Sequence, residues 1–511
     1  MTAPSVIAPS SIVDGYYANA VHRSGELALT DHIDSYSFAE LWSAACGFAE
    51  RLQRSGVGPG AVVGVAMEGS AANVAAVLGA MLTGAAAAPI NVALTETELP
   101  RYLELLEPTT IVADPHGLDR LPAGWNQVGV DTAVRGVRLA DRLGASAAMN
   151  PPTALAAPTP DSPALLVPTG GTTGLPKAAI LSHRATLLWA LSMAGHGRAG
   201  SGVELFFLPF FHIGLLTGVL STLHAGAPAI IQRRFDPEEA CDFICRGATR
   251  IQVVPTHIRR LLEVPTFDEA RQHVQQVRFG GMTSTPEFTD KLLEVFPNAQ
   301  ISTGYGATEF GPVTLVSHDD LVAGRRTGVG RPVPGAHIAI VSDAGEPVAT
   351  GEAGHIVVRC PWQASGYVGR AEESAAAFTP LGVRLADCGA FDEHGWLTLL
   401  GRQSDMVITG GENVFPAEIE AVLLAHPDVV DVVVIGVPDA TWGERVEAAV
   451  VARPGATVTI ASLREFGRQH LAAYKLPRSF RLLDRIPLTP NNKPDRRALQ
   501  ASERAHPEPV P

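Results

Sequence analysis

Short apolar runs of three to six residues recur through the first 400 residues, and helix-like stretches separate them. Examples lie at 61–66, 164–168, 204–208, 229–232, 251–254 and 277–279. Runs this short and this apolar are buried on both faces, and helical connections between them bring successive strands in parallel. The pattern predicts α/β sheets covered by helices. Residues 328–359 differ, with short alternating segments between Gly and Pro turns, and predict a small β-rich subdomain. The last ~110 residues, a plausible domain size, have a pattern of their own: a helix over 417–425 behind Pro416, strands over 428–437, 445–452 and 478–483, and a helix over 460–471. Proline is tolerated in a helix's first turn. The fold class is therefore α/β, with a large domain of residues 1–401 and a small α+β domain of residues 402–511.

Composition narrows the classes of function. The 511 residues carry a formal net charge of -13, which gives no basic footprint for nucleic acid or an anionic membrane. The five cysteines are scattered and no CxxC pair occurs, which disfavours a disulfide framework or a zinc site and fits a reducing cytoplasm. Cys241 and Cys245 read as small buried residues. The N-terminus has no basic region followed by an apolar core, so no signal peptide is expected. Residues 69–94 contain no charge and are long enough to span a bilayer, but Ala and Gly dominate and Gly84 and Pro89 interrupt them. A buried helix near 71–82 followed by a buried strand is the expectation, with no membrane span.

The strongest local signal is LLVPTGGTTGLPKAAILSH, residues 165–183. An apolar strand enters Thr169, Gly170, Gly171, Thr172, Thr173, Gly174, Leu175, Pro176 and Lys177, and a second strand follows. Glycines let backbone amides converge on phosphate oxygens, threonine hydroxyls add neutral donors, and Lys177 adds a charge. The spacing is not that of a Walker A loop. Taken alone, the segment reads as a surface hairpin. Further on, ISTGYGATEFGP (301–312) offers Tyr305 as a flat face for a base, Thr308 as a phosphate donor and Glu309 as a ligand for Mg²⁺. Asp387 and Arg402 lie fifteen residues apart, and a hairpin between them would bring a carboxylate suited to ribose hydroxyls beside a guanidinium. Alone, that pair reads as a surface salt bridge.

Together these segments resemble the adenylate-forming superfamily: acyl- and aryl-CoA synthetases, peptide-synthetase adenylation domains and firefly luciferase. The resemblance covers nearly the whole chain in the family's order, and TGGENVFPAEIEAVL (409–423) resembles the acid–CoA ligase branch. It implies a large N-terminal domain and a lid that rotates between two half-reactions about a hinge near 402–405, with Ser404 as the hinge residue. In the first, a carboxylic acid attacks ATP, forming an acyl-adenylate and pyrophosphate; in the second, the thiol of coenzyme A attacks, releasing AMP.

The resemblance assigns the nucleotide to the 169–177 loop, to Gly281 and Met282, to Thr303, Gly304, Tyr305, Gly306, Ala307, Thr308 and Glu309, and to Asp387, Arg402 and Lys493. Lys493, in PLTPNNKPDRRAL, would act with Lys177, Glu309 and His212 in catalysis; its ammonium would offset repulsion between carboxylate and α-phosphate. Phe211, His212, Ile213 and Gly304 would approach the acyl group, and Gly410, Gly411 and Glu412 the coenzyme A arm. Three departures stand out: Met282 replaces a usual alanine, Gly170 a common serine, and Ser404 the Asp or Lys of many relatives. No buried acid is evident to pair a substrate amine, so an apolar aromatic or medium-chain aliphatic acid is expected. A carrier protein is the alternative thiol acceptor, a homodimer is compatible with the resemblance, and a catalytically silent nucleotide-binding homologue is the third reading.

Overall fold

The computed structural model describes residues 11–130, 139–143, 158–169, 177–195, 202–280, 286–410, 412–439, 441–456, 458–488 and 494–503. Two α/β sheets form the body. One has seven strands in the spatial order Gln300–Ser302, Gln276–Phe279, Ala248–Val253, Val203–Phe206, Ala229–Ile231, Leu27–Thr30 and Ser35–Ser37. The other has six: Gln127–Gly129, Thr110–Ala113, Val62–Ala66, Ala86–Pro89, Pro163–Thr169 and Lys177–Ser182. In each, every pairing is parallel except the last. All six expected strands are present within a few residues of their sequence limits.

One apolar core joins the sheets through the helices Val13–His22, Phe38–Arg54, Ala71–Leu82 and Ile213–His224. The uncharged stretch resolves as the pattern demands. All twelve residues of Ala71–Leu82 are buried, Ser70 caps the helix by accepting from the Asn73 amide, and the buried strand Ala86–Pro89 follows. No described helix is long and apolar enough to cross a membrane.

The β-rich subdomain is an antiparallel sheet of His337–Val341, Gly354–Arg359, Gly382–Phe391, Phe378–Thr379 and Leu397–Arg402. The C-terminal part has a separate core. Its strands Glu412–Val414, Val407–Thr409, Gly443–Ala452, Val429–Asp439 and Ser479–Leu482 bury Val414, Val432, Val434 and Val446 beneath the helices Pro416–Leu424 and Ile460–Arg468. One expectation fails: Cys241 is buried but Cys245, one helical turn further on, is exposed. Burial of a helix is a property of one face, and Cys245 closes the helix Pro237–Cys245 beyond that face.

The junction between the two parts is pinned on each side. Arg402 stands opposite Asp387 in the strand ladder, with Nε 3.4 Å from Oδ1. Three residues on, Asp405 lies 3.6 Å from Arg496, which also pairs with Glu420 at 2.7 Å. Only Gln403 and Ser404 lie between these anchors, and Gly401 before them has φ +120°, a conformation that other residues rarely adopt.

Candidate active site

The segment 303–309 carries most of the candidate site residues on one stretch of backbone. Thr303 exchanges backbone bonds with Val316, at 3.2 and 2.8 Å. The Thr314 hydroxyl accepts from the Tyr305 amide at 2.8 Å, and the amide of Val313 donates to the Tyr305 carbonyl at 2.9 Å. Gly306 and Ala307 then pair with Gly311 and Pro312. The glycines are sterically required: a Cβ on Gly304 would strike the Thr314 carbonyl, and one on Gly306 would lie 2.6 Å from the Gly311 oxygen. Thr308 follows, half-buried, and Glu309 is buried. This backbone is over-determined, so the side chains it carries are held in place.

Tyr305 and Glu309 each reach across to a different part of the chain. The Tyr305 hydroxyl donates to Asp387 at 2.7 Å, and Asp387 in turn pairs with Arg402. Burial, and then the Asp387 carboxylate, push the Tyr305 hydroxyl well above its ordinary range, so it stays a donor. The Tyr305 ring, expected as an open face for a base, is itself buried, against Phe310 at 5.6 Å between centroids. At the other end, Glu309 Oε1 accepts from the Tyr367 hydroxyl at 2.8 Å and from the Thr169 hydroxyl at 3.2 Å. Burial, and then Glu309, likewise keep Tyr367 protonated. Both donors fall on Oε1.

Lys177 begins the strand Lys177–Ser182. Its ammonium lies 2.5 Å from Glu373 and 4.8 Å from the centre of the Tyr367 ring. Tyr367 therefore touches Glu309 with its hydroxyl and Lys177 with its ring face. Sequence reasoning missed Tyr367 and Glu373. Both lie within the β-rich subdomain, between the strands Gly354–Arg359 and Phe378–Thr379, far from either glycine-rich segment, and no local spacing links them to Lys177.

His212 immediately precedes the helix Ile213–His224 and is exposed rather than packed in the core. Its ring lies 6.1 Å from that of the half-buried Phe211. Gly410 (φ +61°) turns the hairpin between Val407–Thr409 and Glu412–Val414, with Glu412 exposed. The Gly410 amide donates to the Trp442 carbonyl at 2.9 Å, and a Cβ there would lie 2.8 Å from the Trp442 ring. Trp442 is itself exposed, and the Arg478 guanidinium stacks 3.7 Å from its centre. These two residues also escaped the sequence reading. Gly170, Gly171, Thr172, Thr173, Gly174, Gly281, Met282, Gly411 and Lys493 lie outside the described residues, as does the side chain of Ser404.

A large α/β body, a β-rich subdomain and a small α+β domain, with a polar cluster leading to their junction, are the architecture of the adenylate-forming enzymes. The comparisons with known proteins agree. The family model described as AMP-binding enzyme matches residues 17–368, and that of the AMP-binding enzyme C-terminal domain matches 418–493. The chain belongs to the AMP-binding enzyme family. A 2-succinylbenzoate–CoA ligase of Geobacillus kaustophilus is 32% identical over 93% of this chain and 94% of its own length. The fatty acid–[acyl-carrier-protein] ligase ScoC of Streptomyces coeruleorubidus is 32% identical over 67% of this chain and 68% of its own. The crystal structure of ATP-bound MatB from Rhodopseudomonas palustris superposes with a TM-score of 0.85 at 29% identity, covering 96% of this chain and 99% of that one.

Proposed function

We propose that the protein is an ATP-dependent acid–CoA ligase. It joins a carboxylic acid with an apolar body, aromatic or medium-chain aliphatic, to ATP as an acyl-adenylate with release of pyrophosphate. It then transfers the acyl group to the thiol of coenzyme A with release of AMP. One observation carries this reading: within five residues, the segment 305–309 ties the phosphate-loop strand, through Glu309 and Thr169, to the hairpin before the lid, through Tyr305 and Asp387.

In the first half-reaction the 169–177 loop and Lys177 hold the phosphates, with Thr308 as a further donor. Asp387 accepts the ribose hydroxyls and Arg402 steadies the nucleotide where the large domain ends. Among the described residues no group of three or more acids, histidines or cysteines forms a metal cage. A buried carboxylate fits a hard cation that arrives with phosphate oxygens. Glu309 would hold Mg²⁺, which neutralises phosphate charge when bound. Lys493 offsets repulsion as the substrate carboxylate approaches the α-phosphate. Phe211, Ile213 and Gly304 flank the acyl group, and His212 borders the path of the thiol.

For the second half-reaction, the domains divide at 402–405, where the anchors on Arg402 and Asp405 leave Gln403 and Ser404 to turn. The Gly410–Glu412 hairpin takes the pantetheine arm. Exposed Trp442 capped by Arg478 offers a flat face and a cation, the pairing that suits a purine and its phosphate. This favours coenzyme A over a carrier protein, which brings no nucleotide.

The test is pyrophosphate release from MgATP with a panel of acids, with and without coenzyme A. Release that requires a particular acid, and a thioester once coenzyme A is added, is the expected result. Adenylate without coenzyme A turnover would transfer the acceptor role to a carrier protein. Absence of release with every acid would count for a silent nucleotide-binding homologue.

A further inference from the structure

The segment of Lys493 and the hinge are far apart in the lid's sequence, yet one side chain joins them. Pro494, Asp495 and Arg496 follow Lys493, so at most about 11 Å separates the α-carbons of Lys493 and Arg496. The described residues on either side of Lys493 are fixed to each other. Leu488 and Pro494 form an antiparallel bridge, and the Asp495 amide donates to the Pro487 carbonyl at 2.8 Å. Asp495 then starts the helix Arg496–Glu503, its Oδ1 accepting from the Ala498 amide at 2.9 Å. The chain that carries Lys493 therefore leaves and returns at one place, immediately before Arg496.

The Arg496 guanidinium reaches three other parts of the lid. Nη1 donates to Glu420 Oε1 at 2.7 Å and Nη2 to Glu420 Oε2 at 3.2 Å. A two-point pairing of this kind fixes direction as well as distance. Nη1 also donates to the Val434 carbonyl, and Glu420 accepts from the Val434 amide at 2.7 Å. One arginine thus ties the helix Pro416–Leu424, the strand Val429–Asp439 and the last helix together. Its Nε lies 3.6 Å from Asp405 Oδ2, and Asp405 is the residue that follows Ser404. Glu420 and Val434 suffice to hold the last helix on the lid. The Asp405 contact adds what they do not, a link to the residue beside the pivot.

We propose that Arg496 is the positioning residue for Lys493. It binds the segment of Lys493 to Asp405, so that turning at Gln403 and Ser404 carries the ammonium to the α-phosphate as part of one rigid lid. The inference rests on the ligase reading and on the place of Lys493 in it, and adds how the charge is delivered. Arg496 acts through Lys493 and needs no contact with the nucleotide. A misplacement of about 1 Å can cost on the order of 10²-fold in rate. Lysine is no substitute, because a single ammonium cannot hold Glu420 and Asp405 in one fixed geometry.

The experiment measures the two half-reactions of the full chain separately, with Lys493 present and in the Lys493→Ala protein. Arg496→Lys keeps a charge for Glu420 but loses the fork. Asp405→Asn keeps the whole Glu420 pair and weakens only the link to the hinge, so the lid stays folded. With Lys493 present, Arg496→Lys should slow acid-dependent pyrophosphate release on the order of 10²-fold, and Asp405→Asn by roughly tenfold, with the KM for MgATP unchanged. Thioester formation from supplied acyl-adenylate and coenzyme A should stay within a few-fold of normal in both. In the Lys493→Ala protein neither substitution should slow pyrophosphate release further, because groups that act as a unit are not additive. Normal release in both variants, equal loss in both half-reactions, or a further loss in the Lys493→Ala protein would overturn the proposal and leave the role of Lys493 standing. A Lys493→Ala protein that releases pyrophosphate at the normal rate would remove that role and this proposal with it. Absence of acid-dependent release by the unmodified protein would remove the ligase reading as well.

Discussion

Glu309 and Trp442, proposed to serve the two half-reactions, are built in opposite ways. Glu309 is buried, its carboxylate is oriented by two hydroxyl donors on one oxygen, and its backbone is locked by paired segments on either side. Trp442 is open to solvent, backed by a hairpin glycine and capped by a single guanidinium. The first is the construction expected where charge develops in a transition state, because fixed donors need no reorganisation as the reaction proceeds. The second suits a face that captures and releases a large, soluble co-substrate. The difference implies a division of labour. Substitutions in the large domain should damage adenylate formation, and substitutions on the lid's hairpin side should damage thiol capture.

Lys493 is the sharpest test of that division, because it lies on the lid's chain yet is assigned to the first half-reaction. Lys493→Ala should slow pyrophosphate release by roughly 10²–10³-fold, the scale of losing one charge-stabilising group. Thioester formation from supplied acyl-adenylate should stay within a few-fold of normal. Equal damage to both halves would break the two-conformer picture.

Acid should separate the two regions next. His183, whose Nδ1 lies 2.7 Å from the Ser11 hydroxyl, is fully buried, and burial draws its pKa down to about 4. His257, packed against Phe207 and Phe235, is drawn to about 4 by burial and then by Arg260. For a base with a lowered native pKa, stability is complete above the unfolded value of 6.5 and is lost as pH falls from there toward 4. For His183 the loss by pH 4 is on the order of 3 kcal/mol. Calorimetry between pH 7 and 4 should show the large-domain transition falling, and His183→Gln should flatten its pH dependence. An unchanged slope in that variant would mean that other groups control acid sensitivity.

Tyr367 comes next in size. Tyr367→Phe removes one hydrogen bond to a charged group, about 1.5–3 kcal/mol, and keeps the ring beneath Lys177. MgATP binding by titration calorimetry should weaken by about tenfold or more, while use of supplied acyl-adenylate is spared. Tyr367→Leu removes the ring as well and should weaken binding further. Equal effects of the two variants would show that the ring face contributes nothing to holding Lys177.

The sequence made the strands legible because each is a short apolar run with a helical connection, and it made Ala71–Leu82 legible because its glycine and proline neighbours forbid a span. It also brought Asp387 and Arg402 together, since a hairpin of that length can close in only a few registers. Tyr367 was not legible. Its partners Glu309 and Lys177 come from two separated segments, and tertiary packing alone joins them. Cys245 failed for the converse reason: helical spacing gives the face but not where the core ends.

The smallest expected effect tests the comparison at its other pole. Stacking of a base on an aromatic ring is worth about 1–3 kcal/mol, so Trp442→Ala should raise the KM for coenzyme A by about tenfold. Pyrophosphate release without coenzyme A should be untouched, because nothing in that step uses the lid's exposed face. The informative control is pantetheine, which has the thiol but no nucleotide. If Trp442 and Arg478 hold the purine and its phosphate, the substitution changes the KM for coenzyme A and leaves that for pantetheine where it was. An equal rise for both would relocate Trp442 from the nucleotide to the arm, since Gly410 backs directly onto its ring. The hairpin would then be a single tunnel wall rather than a wall and a platform.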